Sequence, residues 1–229
     1  MFNFNDGSIA SKHTEGLAHK VVTFGVAQFI ILTMSAAILY PGEYNLFSHH
    51  LSELGASVAR NGAPNAASST LYSVALISIA LTLIPFWLEA LTLFRDTNRM
   101  KTASRLGSAL GLMSSPFLVG VALYPFDTQL DMHFKMFLAF FPLFNLASLI
   151  YSTAIIIDRR LPNKNGFLGF SLLALSIIVL VDPMAAYVSF LQKILIYGYF
   201  IWVLFMNKLI NSRRVASIQF SRKISAQLR

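Results

Sequence analysis

The chain has 229 residues, of which 55% are hydrophobic and only 12% charged, with no cysteine and a net charge of +8. A soluble domain carries about 25% charged residues, so this composition excludes a water-covered globule, and the missing cysteines exclude disulfides, iron–sulfur clusters and thiolate chemistry. The mean hydropathy is +0.62, and the apolar residues fall in runs of about twenty, the length that crosses a bilayer core.

The pattern predicts an all-α polytopic membrane bundle of six transmembrane helices. Residues 1–20 are a polar leader, and 21–40 are the first span. A cleaved signal peptide is the rival reading of that span. The long charged leader and the similar spans that follow favour an uncleaved helix. Pro41-Gly42 stops it. The outer loop 41–70 follows, in which Ser48 is placed to N-cap a short helix ending at Gly55. His49, Ser52 and Glu53 would share one face of that helix. The segment from Ala59 to Ser69 reads as flexible loop. The second span covers 71–94, with Pro85 inside it and Glu89 near its far end, where Arg95 or Arg99 would pair with it. The third, 106–123, carries Gly107, Gly111 and Ser115 at four-residue spacing, a stripe that lets helices approach closely. The fourth, 134–157, contains Pro142 and Asn145. The fifth, 167–181, is short, and Asp182-Pro183 turns the chain. The sixth reaches residue 206 or 207 from a start near Tyr187 or Ile194, and 208–229 is a basic tail.

Lys and Arg fix the expected orientation. Fifteen of the eighteen lie in the leader, the second-to-third loop, the fourth-to-fifth loop and the tail. Both termini are therefore expected in the cytoplasm, with anionic lipid as the partner of the basic loops and tail. This placement accounts for the basic charge without nucleic acid. Oligomeric state is not legible.

One spacing recurs. Leu39-Tyr40-Pro41 is followed by Glu43, Leu46 and His49, and Leu123-Tyr124-Pro125 by Asp127, Leu130 and His133, at a constant offset of 84 residues. The first two hairpins thus read as a parallel internal repeat, with Tyr40 and Tyr124 as interfacial anchors. The outward side would gather Glu43, His49, His50, Ser52, Glu53, Asp127, Asp131, His133 and Asp182, with Lys193 near a helix end. Lys193 would need a partner inside a span, with Asp182, Asp127 and Glu53 as candidates. The cluster supports three readings. His49, His133, Asp127 and Glu43 suit a zinc ion by ligand type. His49, His133, Asp127, Ser52 and Glu53 would serve a metal-dependent or serine-type hydrolase, although no G-x-S-x-G is present. The same residues would equally fix the corners or recognise a lipid headgroup or partner, and this reading ranks first. No cofactor motif appears. A transporter is the weakest reading, because few ionisable groups lie at mid-membrane.

At SHHLSELG and YPFDTQLDMH the sequence resembles a family of prokaryotic membrane proteins catalogued as domain of unknown function 998, itself distantly similar to the Frag/DRAM/Sfk group. Ser52, Leu54 and Gly55 match one family element, and Pro125, Asp127 and His133 the other. The resemblance implies about six spans in a prokaryotic cytoplasmic membrane and no established activity. Seven-span zinc hydrolases also gather Ser, Asp and His at one bundle end, but this chain has no H-x-x-x-H.

Overall fold

The computed structural model describes residues 6–94, 96–181 and 187–227. Six helices appear among them: α1 (Asp6–Ile38), α2 (Ala66–Ala90), α3 (Asn98–Leu123), α4 (Leu130–Ile157), α5 (Asn163–Val181) and α6 (Val188–Gln227). Each is long and apolar enough to cross a membrane, α1 over Gly16–Ile38 and α6 over Val188–Ser217. A 3-10 helix, Leu51–Gly55, lies between α1 and α2. Pro85, Pro116 and Pro142 sit inside unbroken helices, which membrane bundles tolerate because neighbouring groups re-satisfy the freed carbonyls. The basic segment after residue 207 is not a separate tail at its start, because α6 runs through it to Gln227.

Successive helices pack side by side, and α1 against α6 closes the ring, with α2 also touching α6. Aromatic side chains fill the middle. Trp87 of α2 meets Phe86, Phe144, Tyr151 and Trp202. The small-residue stripe of α3 makes room for them. A Cβ on Gly111 would lie 2.2 Å from the Trp87 ring, and one on Gly107 2.8 Å from Tyr151. The stripe is thus a packing surface within the bundle. Polar side chains lash helices together in pairs. Ser108 donates to the Trp87 carbonyl at 2.7 Å. Asn145 of α4 bonds Ser176 of α5 and Tyr199 of α6. Such bonds hold membrane helices where lipid offers no competing partner.

The bundle has two distinct ends. At the termini end, Asp158 takes Arg160 at 2.7 Å and Arg213 at 3.3 Å. Arg160 holds the Asp158 carboxyl below the usual carboxylate range. Glu89 accepts from Arg214 of α6 at 2.7 Å. Arg99 forms no ion pair with Glu89 among the described residues, and Arg95, the other expected partner, lies outside them. Asn207 donates to the His19 carbonyl, tying α6 to α1.

At the other end, the loop end, the stretch expected to be flexible is a fastened turn. Val58 and Pro64 form an isolated bridge, and Gly62 takes φ +84°, a conformation other residues rarely adopt. Buried Asn65 donates to the carbonyls of Leu54 and Ala56 at 3.2 and 2.9 Å. Across the bundle, the Asp127 carboxylate accepts the Ser57 and Val58 N–H groups, both at 3.0 Å. Both Tyr-Pro corners therefore lie at the loop end.

Candidate functional site at the loop end

The loop end is built around the 3-10 helix. Leu54 is fully buried, and a Cβ on Gly55 would stand 2.6 Å from the Tyr72 ring. These two residues press the turn onto α2. Ser48 is not its cap. Instead the Glu53 carboxylate accepts the His50 N–H at 2.7 Å and binds Arg60 at 2.5 and 2.6 Å. Arg60 also donates to the Ser48 carbonyl at 2.9 Å, and its own N–H donates to the Tyr40 hydroxyl at 3.0 Å. Tyr40 is thereby a buried strut, 4% exposed, rather than an interfacial anchor.

The first turns of α6 strap this loop from the opposite side. Gln192 Oε1 accepts the Leu51 N–H at 2.9 Å. Ser189 donates to the Ser48 carbonyl at 3.3 Å. Lys193, in the second turn of α6 and 6% exposed, donates to the carbonyls of His49 and Ser189. Its ammonium stands 5.5 Å from the centre of the Tyr44 ring. The expected carboxylate partner is thus replaced by backbone carbonyls and an aromatic face. Of the expected three, Asp127 is engaged with backbone, Glu53 with Arg60, and Asp182 lies outside the described residues.

The corner histidines do not share an environment. His49 lies against the Tyr40 and Tyr44 rings, and its Nδ1 accepts the Asn45 N–H at 3.1 Å. Burial, then the Arg60 charge, hold its pKa below the ordinary value. His133 lies against Phe126 and contacts the Tyr124 carbonyl through Nδ1 at 2.8 Å. A carbonyl only accepts, so Nδ1 carries the proton. His50 also lies against the Phe126 ring, and its pKa is likewise lowered, chiefly by burial. His50, rather than His49, lines the same pocket as His133.

Two adjoining cavities give this arrangement its meaning. One pocket combines the polar side chains of His50, Ser52, His133 and Gln192 with the apolar ones of Phe126, Phe134, Phe137, Val179 and Val188. Adjoining it, a narrow apolar crevice reaches between the helices, walled by Leu76, Leu118, Val121, Phe140, Phe141, Phe144 and further apolar side chains. Ser52, His133, Phe137 and Gln192 line both. Ser52 and His133, 81 residues apart in sequence, thus line one place. Gln192 was missed. Its signal was a second polar residue beside Lys193 at the start of an apolar span.

The remaining candidates are dispersed. Glu43 and Asp131 are exposed, and Asp131 pairs with Lys135 at 2.6 Å. Among the described residues no group of three or more His, Asp or Glu is placed to hold a metal ion. Geometry therefore does not draw His49, His133, Asp127 and Glu43 into one ligand set. Nor does Ser52 hydrogen-bond either imidazole, and its sequence neighbour Glu53 is committed to Arg60.

Fold and pocket together define a multi-pass α-helical membrane protein, with a few polar side chains set in an apolar crevice at its loop end. Residues 23–206 match the family model described as "Protein of unknown function (DUF998)", and the chain belongs to that family. No curated protein and no solved structure matches it.

Proposed function

We propose that the chain is a membrane protein that binds one amphiphile. Its hydrocarbon part occupies the interior space, and its polar head meets His50, Ser52, His133 and Gln192. The observation that carries this reading is that Ser52, His133 and Gln192 are polar side chains shared by two adjoining, largely apolar pockets. The head is met by neutral hydrogen-bonding groups, since Arg60 and Lys193 are bound elsewhere. A hydroxyl- or carbonyl-bearing head suits those groups better than a charged one. By the positive-inside rule the loop end faces away from the cytoplasm, so the amphiphile enters from the outer leaflet. The membrane would be a prokaryotic cytoplasmic membrane.

Native mass spectrometry of the purified protein in mild detergent tests this. Wild type retains one lipid-sized adduct per chain that survives mild activation. Leu118→Trp, which fills the cavity, loses it at least tenfold; Leu106→Trp, on the exposed face of the same helix, keeps it. Ser52→Ala and His133→Ala weaken it about threefold to tenfold, as expected for losing one hydrogen bond each. Retention of the adduct in folded Leu118→Trp sinks the proposal.

A further inference from the structure

A second site lies at the termini end, between the start of α5 and the middle of α6. The open groove there is lined by Pro162, Lys164, Asn165, Phe205, Lys208, Leu209 and Ser212. It shares no residue with the loop-end cavities.

Three features give the groove a chemistry. First, Lys164 and Lys208 are exposed and form no ion pair among the described residues. The nearby carboxylate of Asp158 is already taken by Arg160 and Arg213. Second, the opening turn of α5 has N–H groups without intrahelical acceptors, which favour an anion. Third, and independently, the Asn165 side chain is 3% exposed and makes no hydrogen bond among the described residues; its Oδ1 is buried and unpaired. A buried amide without partners is costly. Asn165 is held in this position, since its carbonyl accepts Trp202 Nε1 at 3.1 Å. The amide is therefore presented to the groove by a fixed backbone.

We infer that this groove binds the headgroup of an anionic phospholipid. The phosphate meets Lys164, Lys208 and the α5 N-terminus. The Asn165 amide offers its N–H₂ to a phosphate oxygen and its Oδ1 to a headgroup hydroxyl, as in a phosphoglycerol. Phe205, 44% exposed on the lipid side of α6, lies along the path of the acyl chain. The inference does not depend on the loop-end proposal.

The test uses the full-length protein in detergent with added phosphatidylglycerol, phosphatidylcholine or inorganic phosphate, read by native mass spectrometry. Phosphatidylglycerol is retained at least tenfold more strongly than phosphatidylcholine. Lys164→Gln with Lys208→Gln abolishes that preference. Lys20→Gln with Lys101→Gln, which removes the same charge elsewhere in the chain, leaves it intact. Asn165→Leu keeps both lysines and weakens phosphatidylglycerol at least threefold. Leu118→Trp has no effect, which separates this site from the loop-end cavity. Excess inorganic phosphate leaves the lipid in place; displacement would overturn a lipid as the occupant. Equal loss in the two double variants, or equal retention of both lipids by wild type, overturns the site.

Discussion

Gly55 shows how a single missing methyl sets the geometry of the pocket. Any Cβ at that position meets the Tyr72 ring at 2.6 Å, so the 3-10 helix would have to lift, and Ser52 would lift with it. Gly55→Ala is expected to cost about 1–3 kcal/mol of stability by overpacking. Tyr72→Ala alone also destabilises, by leaving a cavity. The two changes relieve each other, so the double variant costs less than the sum of the singles. Thermal unfolding in micelles gives all four stabilities, and strict additivity would refute the contact. A pH dependence follows from His49 and His50, both held below the ordinary histidine value chiefly by burial. An unfolded histidine titrates near 6.5. Just below that pH the unfolded chain binds protons that the folded chain refuses, so stability is present above about pH 6.5 and declines as pH falls. His50→Gln should flatten the decline between pH 6.5 and 5, and an unchanged slope would count against it. At this scale Ser52 and His133 were legible from short motifs. The choice of His50 over His49 was not, because it depends on which ring faces Phe126.

Two elements, the 3-10 helix and the start of α6, hold each other in register. Ser189, Gln192 and Lys193 occupy successive positions on one side of α6, and each bonds the 48–51 backbone. The bonds are side chain to backbone, between segments about 140 residues apart in sequence. Lys193→Met removes the donor to the His49 carbonyl while keeping the aliphatic stem. It is expected to cost about 1–3 kcal/mol, the penalty of an unsatisfied buried carbonyl. The loss should be local. Amide hydrogen exchange over residues 48–55 should speed up by tenfold or more, with α3 and α4 unchanged. Uniform acceleration across all helices would mean that Lys193 supports the bundle as a whole. Strapping of this kind explains what the sequence concealed. A lysine inside a span signals a buried partner, but composition favours acids as that partner, whereas the fold supplied carbonyls and the Tyr44 face. The short helix was legible as an element. Its 3-10 form and its Glu53 cap were not, because five residues carry too little periodicity and the stabilising Arg60 returns from beyond the next turn.

For the molecule as a whole, six spans were legible because bilayer thickness imposes a length that soluble folds lack. The closed ring was not, since nothing in an apolar run names the helix it packs against; the α1–α6 closure and its interior cavity emerge only from coordinates. Orientation is where charge and fold now make a joint claim. The basic residues Arg99, Lys101, Arg105, Arg159, Lys164 and Lys208 all fall at the end that carries the α1 and α6 extensions, while Arg60 and Lys135 fall at the loop end. If positive charge is retained on the cytoplasmic side, the pocket mouth opens to the outside, where it can take an amphiphile from the outer leaflet. The chain contains no cysteine, so single cysteines can be introduced into an otherwise silent background. Thr128→Cys, exposed in the loop between α3 and α4, should react in intact cells with a membrane-impermeant maleimide. Thr102→Cys, exposed at the start of α3, should react only after permeabilisation. The reverse pattern would place the pocket on the cytoplasmic side. The amphiphile would then have to come from the inner leaflet, and the basic groove at the other end would lose the surface potential that draws anionic lipid to it.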